Sequence, residues 1–441
     1  MGIVLVLVVS FLIVPSPQQV ASAARGTYDS LEKFANILSI VQKNYVDDVS
    51  MDQLVQGAIE GMVSSLDPHS AYMPPEAYRE LKVDTRGTFG GLGIEITVKD
   101  GVLTIITPLD GTPAFRAGVK PGDKIIQIDG QLTKGMDLMK AVSLMRGPKG
   151  TTVTLSLARE GAIDLIEVKL KREIITIKSV RGAKLIDDKF GYVRLTQFQE
   201  GSASELEKAI DGLRSKSPGG LDGLILDLRF NPGGLLNQAV RVADLLLDSG
   251  LVVYTDGRVA SQKQRFFAHS EGTLPNFPLV VLVNEGSASA AEIVSGALKD
   301  HKRAVIVGTQ TFGKGSVQTI LPLDGDSALR LTTALYYTPS GASIQATGIA
   351  PDVVVDNKIR VAKAEKDDSL MIREANLAGH KENQQGRPES SKVATDAGHD
   401  FDDDPQLERA VDLLKTWAVF SRSSGFNVAA TVAPGDPSAT H

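Results

Sequence analysis

The sequence predicts an α/β multidomain protein in which a core of alternating strands and helices is preceded by a strand-rich insertion and flanked by helical regions at both ends. Three patterns predict it. Residues 221–228, broken only by Asp222 and Asp227, and 279–283 are apolar runs, the mark of strands buried on both faces of a sheet, and helical periodicity separates them. Residues 86–173 change to short β-branched stretches punctuated by glycine, with one helical stretch at 136–145. Between 28 and 81, Leu31, Phe34, Ile37, Leu38 and Val41, then Leu54, Ile59, Met62 and Val63, recur at helical spacing.

Size and charge bound the function. A chain of 441 residues, 42% hydrophobic, is long enough for about three domains. Lys plus Arg number 47 against 53 Asp plus Glu, a net charge of −6, which lacks the basic footprint of a nucleic-acid binder and removes nucleic acid as an expected partner. With no cysteine there is no disulfide, thiolate metal site, cysteine nucleophile or cysteine lipid anchor.

At the N-terminus, residues 3–14 are apolar except for Ser10, and Ala21-Ser22-Ala23 fits a small-residue cleavage site. Residues 1–24 are therefore expected to be a signal peptide, exporting the protein to the periplasm or cell envelope. The run is shorter than the ~20 residues of a spanning helix, and no Lys or Arg precedes Arg25. A retained segment that associates the protein with the membrane is the other reading. Residues 25–85 form the N-terminal helical region, in which Asp67-Pro68-His69-Ser70 reads as a turn.

The insertion opens with Gly90-Gly91-Leu92-Gly93-Ile94-Glu95-Ile96, a flexible turn directly before a strand. Backbone N–H groups there can converge on an anion while the strand edge stays free, which suits the C-terminus of an extended peptide. Gly91, Leu92, Gly93 and Ile94 are the candidate peptide-binding residues, and the apolar helix at 136–145 predicts a preference for apolar C-terminal side chains. Together with Ala117-Gly118-Val119-Lys120-Pro121-Gly122-Asp123-Lys124-Ile125, these residues resemble a PDZ domain over 86–173.

In the core, 174–357, the apolar run 279–283 leads through Asn284-Glu285-Gly286 to Ser287-Ala288-Ser289-Ala290-Ala291-Glu292. A serine here meets the positive end of a helix, where N–H groups can stabilise an oxyanion. The same Ser289-x-x-Glu292 is equally a capping box, which needs no catalysis. None of the six histidines stands where a triad would need it. Lys314, between glycines, is the candidate base, since burial lowers a lysine pKa toward the neutral form. Gln318 is positioned to accept a hydrogen bond from its amine. The stretch 308–314 also imitates a phosphate-binding loop, but Gly315 stands where Ser or Thr must bind magnesium, and a strand pattern follows where a helix is required.

Four motifs in order, Leu226-Asp227-Leu228-Arg229-Phe230-Asn231-Pro232-Gly233-Gly234, 283–293, 308–318 and Tyr336-Tyr337-Thr338-Pro339-Ser340-Gly341, resemble the C-terminal processing (tail-specific) serine peptidase family over residues 28–357. The resemblance implies Ser289 as nucleophile, Lys314 as general base and Gln318 as the lysine's partner. It places the oxyanion donors at Ala290 and at Gly233 or Gly234, with no metal and no cofactor, on a crotonase- and Clp-protease-like βα core. Ala291 stands where many relatives have Ser. Two other classes compete: a tail-binding scaffold in which Ser289 only caps a helix, and an acyl-CoA enzyme sharing the glycine turn. Intact Ser289, Lys314 and Gln318 argue against the first; the PDZ-like module and the lack of a basic phosphate cradle argue against the second.

Arg146, closing the helix at 136–145, is a regulatory candidate that could relay tail binding to the core. Beyond the core, 358–441 holds a polar linker at 381–404 and one amphipathic helix: Asp404 as N-cap, Pro405 first, then Leu407, Ala410, Leu413, Leu414 and Trp417. The expected partners are proteins with apolar C-termini, an adaptor or activator that delivers them, and further copies of the chain.

Overall fold

Within the core, the apolar runs become the centre of a six-stranded sheet ordered Val180–Ile186, Phe190–Leu195, Gly223–Asp227, Leu279–Val283, Val305–Gly308, Val353–Val354. The first pair is antiparallel and the rest are parallel. This computed structural model describes residues 17–99, 101–356, 373–377, 379–381 and 404–423. The expected signal segment up to residue 16, most of the polar linker and the chain after 423 lie outside them.

Both faces of this sheet are covered, which is why its central strands carry no polar alternation. Helices Ser202–Lys216, Leu236–Asp244 and Ala290–Asp300 bury one face around Leu226, Val281, Val294 and Leu298. The helix Pro405–Ser423 covers the other, setting Leu407, Ala410, Val411 and Leu414 against Tyr192, Ile225 and Leu282. Asp404 caps this helix through Leu407 N–H at 3.0 Å, so the C-terminal helix docks on its own core. Trp417 is left half exposed.

A second, antiparallel sheet was not foreseen in the sequence. It runs Ala71–Met73, Ala328–Tyr337, Gly250–Gly257, Gln264–Ala268, with Ser316–Pro322 also paired to Ala328–Tyr337. Its first strand comes from the N-terminal region, whose helices are Pro17–Asn44, Met51–Ser64 and Pro75–Arg86. The triplet Ala21-Ser22-Ala23 lies inside the first of these helices. Among the described residues no helix is long and apolar enough to cross a membrane.

Thr88–Gly91 and Glu173–Thr176 pair antiparallel and close the neck of the insertion. Beyond the neck, a five-strand run of its own begins at the edge strand Ile94–Lys99 and passes through Val102–Pro108, Lys124–Ile128, Thr152–Ala158 and Ile166–Lys171. Leu92, Ile105, Ile125, Leu155, Ala141 and Met145 fill a separate core. The helix is Leu138–Met145, begun by Asp137, whose carboxylate accepts Met139 N–H at 2.8 Å.

Candidate active site

Ser289 sits where a buried strand hands over to a helix. Asn284, just past Leu279–Val283, accepts the N–H of Phe230 at 2.9 Å and of Gly286 at 3.1 Å on its side-chain oxygen. Ser287 Oγ donates to the Leu228 carbonyl at 2.8 Å, and Ala288 N–H to the Asn231 carbonyl at 2.9 Å. These bonds fasten the serine loop to the turn leaving the neighbouring strand Gly223–Asp227. Ser289 itself adopts φ 53° and ψ −111°. Left-handed backbone of that kind costs a non-glycine residue on the order of 1–3 kcal/mol and concentrates at functional sites. The capping box with Glu292 is present, but an ordinary N-cap takes extended backbone, so capping alone does not account for this conformation.

The turn presses against the serine. A Cβ on Gly233, at φ +100°, would stand 2.8 Å from Ser289 Cβ and 3.0 Å from the Ala290 nitrogen, so only glycine fits. The Gly233 N–H already donates to Asn231 Oδ1 at 2.9 Å. Among the described residues, the N–H groups of Gly234 and Ala290 have no acceptor.

Lys314 lies where the chain leaves the parallel sheet after Val305–Gly308 and enters the antiparallel one at Ser316–Pro322. What unites it with Ser289 is Glu292, a fully buried residue. Glu292 Oε2 accepts the N–H of Ser289 at 2.8 Å and of Lys314 at 2.9 Å. Its Oε1 accepts from Thr311 Oγ1 at 2.6 Å and Gly313 N–H at 2.7 Å. Burial pushes the Glu292 carboxyl up to about 7, against the downward pull of these donors. Burial also pushes the Lys314 amine below its ordinary range; Arg330 adds to this, while Glu374 and Glu292 oppose it. No hydrogen bond joins the Ser289 hydroxyl to the Lys314 amine among the described residues.

Gln318 is placed otherwise than expected. Its amide nitrogen lies 3.2 Å from Ser316 Oγ and donates to Thr332 Oγ1 at 2.9 Å, and no bond to the Lys314 amine forms. The reason is the strand: Gln318 sits across from Thr332 in the ladder, and an extended chain carries it about 3.3 Å per residue away from Lys314. Thr332 in turn donates to Asp67 Oδ1 at 3.0 Å, so the turn at 67–70 is built into the wall of the site.

In the insertion, the carbonyls of Leu92 and Gly93 accept Ala114 N–H at 3.1 Å and Leu109 N–H at 2.8 Å. These bonds fix the Gly91–Ile94 turn at the head of the edge strand. Arg146 bonds Glu80 of helix Pro75–Arg86 and lies 4.5 Å over the Phe89 ring in the neck. It thus connects the insertion to the N-terminal helices; among the described residues it contacts Glu80 and Phe89, not the serine or the lysine.

Sequence reasoning read Glu292 only as a capping residue and found no use for Asn231 or Asn284. The Ser289-x-x-Glu292 spacing was the available signal; the bond from Glu292 to Lys314 depends on a crossing between sheets that spacing does not reveal.

Three family profiles match the chain: peptidase family S41 over residues 189–355, a PDZ domain over 90–170, and the N-terminal domain of the activating protease CtpB over 13–77. The carboxy-terminal-processing protease of Bartonella bacilliformis is 45% identical over 92% of this chain and 92% of its own length. The carboxy-terminal processing protease CtpA of Bacillus subtilis is 39% identical over 76% of this chain and 70% of its own. Among solved structures, a photosystem II D1 C-terminal processing protease is 32% identical, covering 73% of this chain and 92% of that one at a TM-score of 0.41.

Proposed function

We propose, for a chain that belongs to the C-terminal processing serine peptidases of family S41 and carries a PDZ domain, that Ser289 and Lys314 form the catalytic dyad and that the PDZ domain selects substrates by their C-terminal tails. One observation carries the dyad: a single buried carboxylate, Glu292, accepts the backbone N–H of a strained serine and of a half-buried lysine. That anchors the serine and the lysine backbones to the same side chain.

The chemistry follows from the placement. Neutral Lys314 takes the proton as Ser289 Oγ attacks the scissile carbonyl, and the ammonium returns it to the departing amine. Negative charge on the carbonyl oxygen is received at the positive end of helix Ala290–Asp300, by the N–H of Ala290 and of Gly234, the glycine whose N–H is not already bonded. Water then releases the acyl group by the reverse proton path. Gln318 is held through Thr332 and acts on Lys314 only after a rearrangement, consistent with a resting arrangement that substrate converts.

Because the base must be neutral, kcat/KM rises with pH until the amine has lost its proton. Burial depresses the Lys314 pKa, so this rising limb is expected below the ordinary lysine value of 10.5. A pH–rate profile that stays flat from pH 6 to 10 would remove lysine as the base.

A tail adds as a further strand along the free edge Ile94–Lys99, its carboxylate on the turn Gly91-Leu92-Gly93. The test is mass spectrometry of an unfolded protein with an apolar C-terminus, incubated in chelator. Internal cleavage is expected, falling at least about tenfold when the terminal carboxylate is amidated. Equal cleavage of acid and amide would sink tail recognition. In the same assay Arg146→Ala is expected to blunt the preference, since it frees the PDZ domain from Glu80; an unchanged preference would end its regulatory role. We also propose export to the periplasm or cell envelope, supported by the apolar segment at 3–14. Self-association and adaptor binding are supported by the exposed Leu31, Phe34 and Ile37 on helix Pro17–Asn44.

A further inference from the structure

A second carboxylate is buried at the Lys314 loop, and it comes from outside the core. Glu374, in the short 3-10 turn Glu374–Asn376, is fully buried. Its Oε2 lies 2.6 Å from His69 Nε2, and its Oε1 accepts from Gln345 Nε2 at 2.8 Å. The Glu374 N–H donates to the Phe312 carbonyl at 3.4 Å. Gln345, itself buried, passes the contact on by accepting the Gly315 N–H at 3.0 Å. Glu374 therefore grips the backbone on both sides of Lys314, at Phe312 directly and at Gly315 through Gln345. Glu292 holds the residues between them.

A carboxylate without solvent is expensive unless it is paired and hydrogen-bonded. Docking a short turn would be served by an apolar side chain, so the acid points to a role toward its neighbours. The charged groups facing the Lys314 amine are Arg330 from the strand Ala328–Tyr337, Glu292 from helix Ala290–Asp300, and Glu374. Arg330 Nε donates to the His69 carbonyl at 2.8 Å, so the histidine that holds Glu374 also holds the cation that opposes it.

We propose that Glu374, held by His69, is a positioning residue for the base: it clamps the Lys314 loop at Phe312 and Gly315, on either side of the residues Glu292 holds, and supplies negative charge toward the amine. The inference rests on the reading of Lys314 as the base. It assigns a part in the active site to a turn that follows the peptidase core in the chain, and to a histidine whose sequence context is only a turn.

Two variants test it in the full-length protein, with kcat and KM measured on one tailed substrate across pH. Glu374→Gln preserves the shape and can still bond Gln345 and His69, but removes the charge. Its rising limb of kcat/KM is expected to move to lower pH by about half a unit or more, because the ammonium loses a negative charge that stabilises it. Glu374→Ala removes the clamp, and kcat is expected to fall by about 10- to 100-fold with KM little changed. Thermal melting shows whether Glu374→Ala still folds; if it does not, Glu374→Gln alone decides. A Glu374→Gln profile that overlays the wild type would overturn the proposal and leave the turn a packing element. Lys314→Ala separates the two levels: retained cleavage there refutes the dyad itself, whereas lost cleavage with an unmoved Glu374→Gln profile refutes only the role of Glu374.

Discussion

Ser289→Ala and Lys314→Ala are each expected to lower kcat by at least about 10⁴-fold, and the double variant by no more than either single one. The non-additivity is the informative part. A nucleophile without a base, or a base without a nucleophile, leaves the same residue of catalysis, namely whatever the Gly234 and Ala290 N–H groups and substrate binding supply. Ser289 is the sharper substitution structurally, because its positive φ of 53° is held by backbone bonds from Glu292 and the Asn231 turn, not by the hydroxyl. Alanine should therefore inherit the geometry, and the protein should still bind a tailed substrate without cutting it. Single-turnover kinetics with purified variants measure this. A Ser289→Ala protein retaining more than about one per cent of wild-type kcat, or a double variant far below the singles, would mean that the two residues do not act as a unit.

The largest effect on stability is expected at Arg229. Its guanidinium is buried between two acids, with Nη2 at 2.7 Å from both Asp227 Oδ2 and Asp404 Oδ2, and Nε and Nη1 bonding the remaining oxygens at 3.0 and 2.9 Å. Tyr192 OH donates to Asp227 at 2.7 Å, completing a network with no solvent to fall back on. Arg229→Ala leaves Asp227 and Asp404 buried without their cation, at a cost of about 3–5 kcal/mol, a large fraction of the stability of a typical domain. Asp404 begins the helix Pro405–Ser423, and Arg229 immediately precedes the Phe230–Gly234 turn beside Ser289. The variant should thus melt earlier, become sensitive to proteolysis near residue 404, and lose activity. Arg229→Lys keeps the charge but not the fork and should fall between. A melting temperature unchanged by Arg229→Ala would show that the network contributes nothing.

Much of this molecule could be read before folding. The buried parallel strands were visible because strands covered on both faces need apolar residues at every position, and Leu279–Val283 has them. The PDZ domain was visible because its turns need glycine at fixed places, as at Gly118 and Gly122, both with positive φ. Local chemistry, small residues at a helix start and glycines around a lysine, made Ser289 and Lys314 candidates, and the order of the four motifs singled them out. The antiparallel sheet was not, because its strands come from distant parts of the chain and are only partly buried, with Ala71–Met73 too short to show a period.

The buried strands of the core, the PDZ insertion and the candidacy of Ser289 and Lys314 were legible in the sequence, since each rests on periodicity or on motifs of residues adjacent in the chain. The tertiary structure decided what those residues touch. Glu292, besides capping its helix, became the link between serine and lysine, Gln318 turned to Thr332, and His69 and Glu374, far apart in the chain, met at the lysine loop. Hydrogen bonds and burial act over a few ångströms of space, whatever the distance along the chain.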